Sequence, residues 1–155
     1  MCRIIKIGLQ LPVVLTILFL LAMFSIEAVC VGCRIDAALA AVVPYIIFFF
    51  SAFIIAYACL LFWREKTTAN PITPENASTL VTTGIYGISR NPIYLGFLSI
   101  LIASAFLFSN YINFFLLPLF VLLVNKMYIS GEEKALESIF GNEFIAYKSK
   151  VRRWV

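Results

Sequence analysis

The chain of 155 residues contains no histidine, which limits the chemistry that its side chains can perform. Without imidazole there is no Ser-His-Asp triad, no HExxH zinc site and no histidine-ligated haem. The remaining chemistry-capable groups concentrate in two polar segments, Arg64–Tyr94 and Gly131–Val155. Any catalysis would therefore depend on carboxylates, arginine, lysine, tyrosine, cysteine or a cofactor.

The first polar segment ends in Arg90-Asn91-Pro92, directly before a long apolar stretch. Pro92 suits the first turn of a helix, because its missing N–H would have no partner there. Asn91 is a favoured N-cap residue. We therefore predict that Arg90 and Asn91 lie where a helix enters the membrane. The loop before them, 64–91, is long and mixes apolar with polar residues, which is typical of functional or disordered loops.

The second polar segment predicts a pair of amphipathic helices on the inner membrane surface, interrupted near Gly141-Asn142. Its apolar residues recur at three- and four-residue steps, and charged residues fill much of the other face. Glu132 and Glu133 stand at its beginning, where carboxylates stabilise a helix N-terminus. From the residues alone, a role in the helix dipole and a role in a functional site both stay open.

The composition and the uncharged runs indicate a membrane protein. The chain is 63% hydrophobic and 13% charged, whereas soluble domains are about 45–50% apolar and about 25% charged. Because a membrane helix needs about 20 apolar residues, we predict an all-α, polytopic integral membrane protein with four transmembrane helices. Residues 1–155 form one membrane domain, with a loop over 64–91 and an amphipathic tail over 131–155. The predicted spans are 8–29, 38–62, 92–108 and 111–129.

The basic residues predict the orientation. With four spans, eleven of the twelve lysines and arginines fall on one side and only Arg34 on the other. The positive-inside rule makes that side cytoplasmic, together with both termini. The net charge of +4 is then a topology signal, and no nucleic-acid partner is expected. We expect the first span to be retained rather than cleaved, because its apolar run exceeds a typical signal-peptide h-region.

The outer side offers few chemical groups. Cys30 and Cys33 form a CxxC, but one such pair cannot complete a zinc site, so no metal site is expected. They are small residues at a helix end or a disulfide in an oxidising compartment. Glu27 lies near the outer end of the first span, where it can reach water. A carboxylate at membrane depth is a candidate for function. A functional role for Glu27 and a water-exposed position without a role both stay open.

Together the two polar segments resemble a known family. Leu80–Gly96, LVTTGIYGISRNPIYLG, resembles the pattern L-V-x-x-G-x-Y-x-x-x-R-[HN]-P-x-Y-x-G. Gly131–Trp154 resembles the tail pattern E-E-x-x-L-x-x-x-F-G-x-x-[FY]-x-x-Y. Both patterns belong to the isoprenylcysteine carboxyl methyltransferases, which are related to the membrane phospholipid methyltransferases. The resemblance extends over about 71–155 and implies a membrane enzyme that takes a methyl group from S-adenosylmethionine.

The resemblance also implies roles for single residues. Arg90 and Glu133 are the implied catalytic residues, with Arg90 holding the site together or neutralising an acid. Lys126 and Tyr128 are implied to contact the substrate, a lipophilic small molecule or lipid that is methylated on O, N or S. The implied cofactor-binding residues are Ser78, Thr79, Leu80, Val81, Tyr86, Asn91, Pro92, Ile93, Tyr94 and Glu132.

Two positions depart from the family pattern. Asn91 stands where histidine is commonest, and an amide cannot exchange protons near neutral pH. Tyr128 stands where the prenylcysteine enzymes have an arginine that holds the substrate carboxylate, and Lys126 is the candidate to replace it. Displacement at a sulfonium depends on alignment more than on acid–base groups, so a site without histidine can support it.

Other functional classes stay open on the sequence alone. A small multidrug exporter also has four short spans and a membrane carboxylate, but that acid lies in the middle of span 1, whereas Glu27 lies late. A non-catalytic membrane scaffold could keep the same fold. An NADPH-dependent sterol reductase resembles this family in fold but needs a longer chain.

Overall fold

The computed structural model describes residues 2–29, 37–65 and 79–155, with side chains described over 12–29, 41–65 and 79–155. Every regular element in these ranges is helical. Two short 3-10 turns, Gly84–Gly87 and Tyr111–Phe115, and a π turn at Asn125–Ile129 connect the α-helices. The α-helices are α1 Cys2–Val29, α2 Ala37–Arg64, α3 Pro92–Leu107, α4 Leu116–Val124, α5 Ser130–Phe140 and α6 Asn142–Lys150.

Three helical segments in the described ranges are long and apolar enough to cross a membrane: Pro12–Val29, Ala41–Arg64 and Tyr111–Phe140. The fourth apolar helix, α3, has 16 residues. The last long segment includes the predicted span 111–129, and its helical structure continues to Phe140. The π turn joins α4 directly to α5, so Gly131 lies inside a helix and does not end one.

The contact between α2 and α3 requires glycine. A Cβ at Gly96 would lie 2.3 Å from Ile55 Cγ1, so any larger residue would push the helices apart. Gly84, in the turn before α3, has a φ of +59°, and a Cβ there would lie 2.8 Å from Tyr57 Oη. Both glycines therefore hold α3 and its preceding turn against α2, which fixes where the polar residues between them lie.

The main core is apolar and lies between α1, α3 and α4. The Phe19 and Phe120 rings meet edge to face, with centroids 5.3 Å apart. Met23, Leu101 and Phe120 are fully buried in this cluster. Large apolar side chains also cover the outward faces of the helices; Phe49 is 71% exposed. Hydrocarbon is the solvent that suits such a surface, and the protein is an integral membrane protein.

Gly141 separates the last two helices. Its φ of +49° is in the left-handed region, and it follows the last residue of α5. α6 begins at the next residue, so the helix ends at the position where the sequence predicted an interruption. The placement of α5 and α6 on a membrane surface stays a prediction.

Candidate functional site

The two polar segments meet at Tyr94 and Glu132. Tyr94, in the first turn of α3, donates a hydrogen bond of 2.6 Å from Oη to Oε1 of Glu132 in the first turn of α5. The Tyr94 ring also stacks on that of Tyr128, with centroids 6.2 Å apart and planes at 19°. Three of the implied site residues therefore form one cluster, although Tyr94 lies far from the other two in the sequence.

A second cluster surrounds the neighbouring carboxylate, Glu133. Arg90 Nη2 lies 3.0 Å from Glu133 Oε1, and both side chains are only 10% exposed. Arg153 donates from Nε to the same oxygen over 3.0 Å and from Nη2 to Oε2. Two guanidinium groups therefore share one buried carboxylate, which holds the loop before α3, the start of α5 and the end of the chain together.

Arg90 has donors that the described residues leave unused. Its Nε and Nη1 are buried and have no hydrogen-bond partner within the described ranges. Nη2 is paired with Glu133. A buried donor without a partner costs about 1–3 kcal/mol, and more when it is charged. Such a group in a native protein therefore indicates a ligand, an ion or a water at that position.

The side chain of Asn91 does not cap α3, contrary to the prediction. Asn91 occupies the N-cap position and Pro92 the first turn, but the Asn91 side chain makes no capping bond. Its Nδ2 instead donates to the backbone carbonyl of Arg153 over 3.0 Å, and Ser89 Oγ donates to the same carbonyl. The Asn91 amide reaches this carbonyl because the end of the chain passes beside the loop. Arg90 N donates to Arg152 O at the same place.

The π turn supplies the other contacts of the chain end. Asn125 Oδ1 accepts hydrogen bonds from Trp154 Nε1 over 3.2 Å and from Arg153 Nη1 over 3.4 Å. Ser130 Oγ donates to the backbone carbonyl of Asn125 over 2.7 Å, across the extra residue of the turn. π turns occur frequently at functional sites, and this one contains both Asn125 and Tyr128.

α6 is attached to the loop through a buried hydrogen bond. Tyr147 Oη donates to the backbone carbonyl of Tyr86 over 2.6 Å. Burial raises the pKa of Tyr147 to about 12, although the positive charge of Arg90 acts to lower it. Burial also raises the pKa of Tyr86, and the hydrogen bond to Glu133 raises the pKa of Arg153. The phenols stay neutral and the guanidinium stays charged at ordinary pH.

Three implied cofactor residues pack against α2, beside the polar clusters. Val81 and Tyr86 are buried together with Ala58 and Leu61, and Ile93 packs against this group. The backbone carbonyl of Tyr86 accepts the hydrogen bond from Tyr147 in α6, and Arg90 follows Tyr86 by four residues in the chain. This apolar patch therefore adjoins the polar clusters.

The other implied site residues within the described ranges differ in exposure. Thr79 and Lys126 are exposed, Leu80 is half-buried, and Pro92 is buried at the start of α3. Ser78 lies outside the described residues. Among the described residues, Lys126 makes no hydrogen bond or ion pair that would favour a role with the substrate.

Glu27, the outer-side candidate within the described residues, is distant from this site. Cys30 and Cys33 lie outside the described residues. Glu27 is half-buried in the last turn of α1. One turn before it, Phe24 contacts Phe108, which follows α3, with ring centroids 5.9 Å apart. Glu27 is therefore at the opposite end of α3 from Arg90.

Sequence reasoning missed four residues that complete the site. Arg153 was interpreted only as a topology charge, and Asn125, Tyr147 and Trp154 were given no role in the site. A usable signal was present, since Tyr147 is the last fixed position of the tail pattern. The partners of Arg153 and Asn125 were not predictable, because their contacts depend on the path of the chain after α6.

The fold and the site define a helical integral membrane protein with a buried polar cluster at one end of its helices. The family model for phospholipid methyltransferase matches residues 39–143. Since this match covers well over half of the chain, the protein belongs to the phospholipid methyltransferase family. The resemblance found in the two polar segments is thereby confirmed.

Curated relatives agree with this membership. The protein-S-isoprenylcysteine O-methyltransferase of Saccharomyces cerevisiae is 39% identical over 80 residues, which are 50% of this chain and 32% of that protein. The enzyme of the same name from Schizosaccharomyces pombe is 35% identical over 72 residues, 46% of this chain and 30% of its own. The match thus covers about a third of each yeast enzyme.

A bacterial relative is matched over its whole length. An uncharacterized protein of Haemophilus influenzae is 41% identical over 63 residues, which are 41% of this chain and 100% of that protein. No solved structure matches the chain.

Proposed function

We propose that the protein is an S-adenosylmethionine-dependent methyltransferase that acts on an O, N or S atom of a small lipophilic substrate. The observation that carries the proposal is the hydrogen bond between Tyr94 and Glu132. It joins the two polar segments in a chain that belongs to a methyltransferase family. The half-buried carboxylate of Glu132 thus lies beside the stacked phenol rings of Tyr94 and Tyr128.

The side chains of the cluster fit the cofactor by charge and shape. S-adenosylmethionine carries a cationic amino group, a sulfonium, a carboxylate and a flat adenine. Glu132 offers a carboxylate to a cationic group, and the stacked rings of Tyr94 and Tyr128 offer aromatic faces to a cation or a ring. Arg90 offers buried N–H donors. The bound cofactor supplies an electrophilic methyl group with a good leaving group.

The residues of the chain would bind and orient, with little acid–base work. Tyr94 fixes the Glu132 carboxylate through its hydrogen bond, and alignment of the reacting atoms is the main requirement of a displacement. Glu133 already accepts hydrogen bonds at both oxygens from Arg90 and Arg153. These contacts favour a positioning role for Glu133 over direct contact with a substrate.

For the membrane arrangement, we propose four spans with both termini in the cytoplasm and α5 and α6 at the inner surface. α3 has 16 residues, which gives a length of about 24 Å, while the hydrocarbon core is about 30 Å thick. Arg90, just before α3, would then lie at the edge of the hydrocarbon. A lipophilic substrate could reach this depth from the bilayer, and the charged cofactor from the cytoplasm.

Calorimetry on purified protein in detergent tests the proposal. Wild type should bind S-adenosylmethionine, and Glu132→Gln should bind it at least about tenfold more weakly, because a charged hydrogen-bonding group is lost. Glu143→Gln is the matched control, since Glu143 is an exposed acid in the first turn of α6. The substrate is sought by transfer of labelled methyl groups to lipid extracts. Absent binding by folded wild type, or equal binding by both variants, would contradict the proposal.

A further inference from the structure

The Arg90 guanidinium has N–H groups in position to bind a second partner besides Glu133. Its side chain is 10% exposed, and within the described ranges its Nε and Nη1 have no hydrogen-bond partner. Guanidinium N–H groups have a fixed fork geometry that matches the oxygens of a carboxylate or phosphate. The unused donors are on the same planar group as Nη2, which Glu133 holds, so their direction is fixed before any ligand arrives.

The charges around Arg90 favour an anion there. Glu133 is the carboxylate that faces Arg90, but Arg153 donates to both of its oxygens. Two positive groups therefore share one negative group. The neighbouring acid, Glu132, accepts its hydrogen bond from Tyr94, on α3. The Arg90 end of the site thus has an excess of positive charge, and the Glu132 end supplies the negative charge.

The geometry points to an anion-binding subsite formed by Nε and Nη1 of Arg90, which takes a carboxylate or phosphate group of a ligand. Arg153 is a positioning residue of this subsite, because it holds Glu133 and leaves Arg90 with free donors. Two sources can supply the anion: the carboxylate of S-adenosylmethionine or the anionic headgroup of the methyl acceptor. If the anion is the carboxylate of the cofactor, the subsite rests on the proposed function. If the anion is a headgroup, the subsite requires only that the protein binds an anionic lipid.

The test compares ligands that differ only in the anionic group. Binding of S-adenosylmethionine and of its decarboxylated analogue is measured by calorimetry in detergent, for wild type, Arg90→Gln and Arg90→Lys. Arg152→Gln is the matched control, because it removes a basic side chain from the exposed residue next to Arg153. The second ligand pair is dihexanoyl phosphatidate and dihexanoylglycerol.

We expect wild type and Arg152→Gln to prefer the anionic member of one pair by about tenfold or more, as for a hydrogen bond to a charged group. Arg90→Gln should abolish this preference. Arg90→Lys should reduce it at least about threefold, because lysine keeps a charge beside Glu133 but lacks the fork. A preference in the cofactor pair assigns the subsite to the cofactor carboxylate, and one in the lipid pair assigns it to the acceptor.

The remaining outcomes decide between the subsite and the proposed function. If wild type does not bind the cofactor but prefers phosphatidate through Arg90, the subsite stands and the proposed function fails. If folded variants keep the wild-type preference, or wild type prefers neither anion, the subsite is wrong. If Arg90→Gln does not fold, the double variant Arg90→Gln/Glu133→Gln replaces it, because this variant removes both partners of the ion pair. Its ligand preference is then measured together with that of Arg90→Lys.

Discussion

Arg153 donates hydrogen bonds to both carboxylate oxygens of Glu133, from a position 20 residues further along the chain. The backbone carbonyl of the same arginine accepts from Asn91 Nδ2. The end of the chain is therefore a structural part of the polar cluster that Arg90 and Glu133 form. This relationship makes the neighbouring pair Arg152 and Arg153 a useful internal comparison.

The Arg153→Gln variant should be less stable and should bind S-adenosylmethionine more weakly. It removes two hydrogen bonds to a buried carboxylate, and bonds to charged groups contribute about 1.5–3 kcal/mol. Since Arg153 is one-third exposed, we expect the lower end of that range. The thermal midpoint in detergent and calorimetry are the measurements. Arg152→Gln removes the same charge from an exposed residue and should match wild type in stability and affinity. If both variants lose stability and affinity equally, the total charge is responsible and the contact with Glu133 is not.

The Tyr94→Phe variant should reduce affinity for S-adenosylmethionine by about tenfold, the value expected for one hydrogen bond to a charged group. The phenylalanine ring keeps the stacking on Tyr128 and loses only the hydroxyl that orients Glu132. Tyr111→Phe removes an exposed hydroxyl at the other end of α3 and should leave affinity unchanged. Undiminished binding by Tyr94→Phe would show that the orientation of Glu132 is irrelevant to the cofactor.

Tyr147 predicts a pH dependence of stability at alkaline pH. Burial raises its pKa to about 12, so the folded protein retains a proton that the unfolded chain loses near pH 10. The stability contributed by this group is complete below about pH 10 and is lost as the pH rises towards 12. The expected loss is about 1–2 kcal/mol after solvent screening.

Thermal midpoints of wild type and Tyr147→Phe, measured from pH 8 to pH 11.5, test this dependence. At pH 8 the variant should be less stable by about 1–2 kcal/mol, because the Tyr86 carbonyl loses its donor. Above pH 10 the difference should narrow, since the variant lacks the titrating phenol. A constant difference across the range would contradict the raised pKa of Tyr147.

The Gly96→Ala variant should destabilise the contact between α2 and α3 by about 1–3 kcal/mol, the usual range for overpacking. The added Cβ would lie 2.3 Å from Ile55 Cγ1, and Ile55→Ala removes that atom. The double variant should therefore recover part of the loss in a double-mutant cycle of thermal midpoints. Gly131→Ala, a helical site with open space, should be neutral or stabilising by up to about 1 kcal/mol. Additive effects of Gly96→Ala and Ile55→Ala would contradict the predicted clash.

The proposed topology predicts opposite labelling of two reporter cysteines. In a variant without the native cysteines, Ser149→Cys lies in α6 and Tyr111→Cys lies in the turn after α3, and both residues are exposed. In intact cells a membrane-impermeant thiol reagent should label Tyr111→Cys, and it should reach Ser149→Cys only after permeabilisation. Labelling of both reporters from the same side would contradict the four-span arrangement, since these positions flank a single proposed span.

Much of the local structure was predictable, because it depends on short-range chemistry. The apolar runs predicted the first two helices, Pro92 predicted the start of α3, and Gly141 predicted a helix end. The π turn before Gly131 was not predicted, and the prediction that the Asn91 side chain caps α3 was wrong. The helix continues through Gly131 because the π turn before it carries α4 directly into α5. The Asn91 side chain does not cap α3, because its amide is oriented by the hydrogen bond from Nδ2 to a backbone carbonyl at the end of the chain.

The sequence by itself determined the membrane character, the family and the two segments that carry the polar groups, because hydropathy and motif spacing are properties of short stretches. Only the tertiary structure decided which groups meet: that Tyr94 holds Glu132, that Arg90 and Arg153 share Glu133, and that Arg90 keeps two buried donors unpaired. Such pairings depend on the close contact of α2 with α3 and on the path of the chain after α6. Both are set by packing between distant residues, which no local pattern in the sequence records.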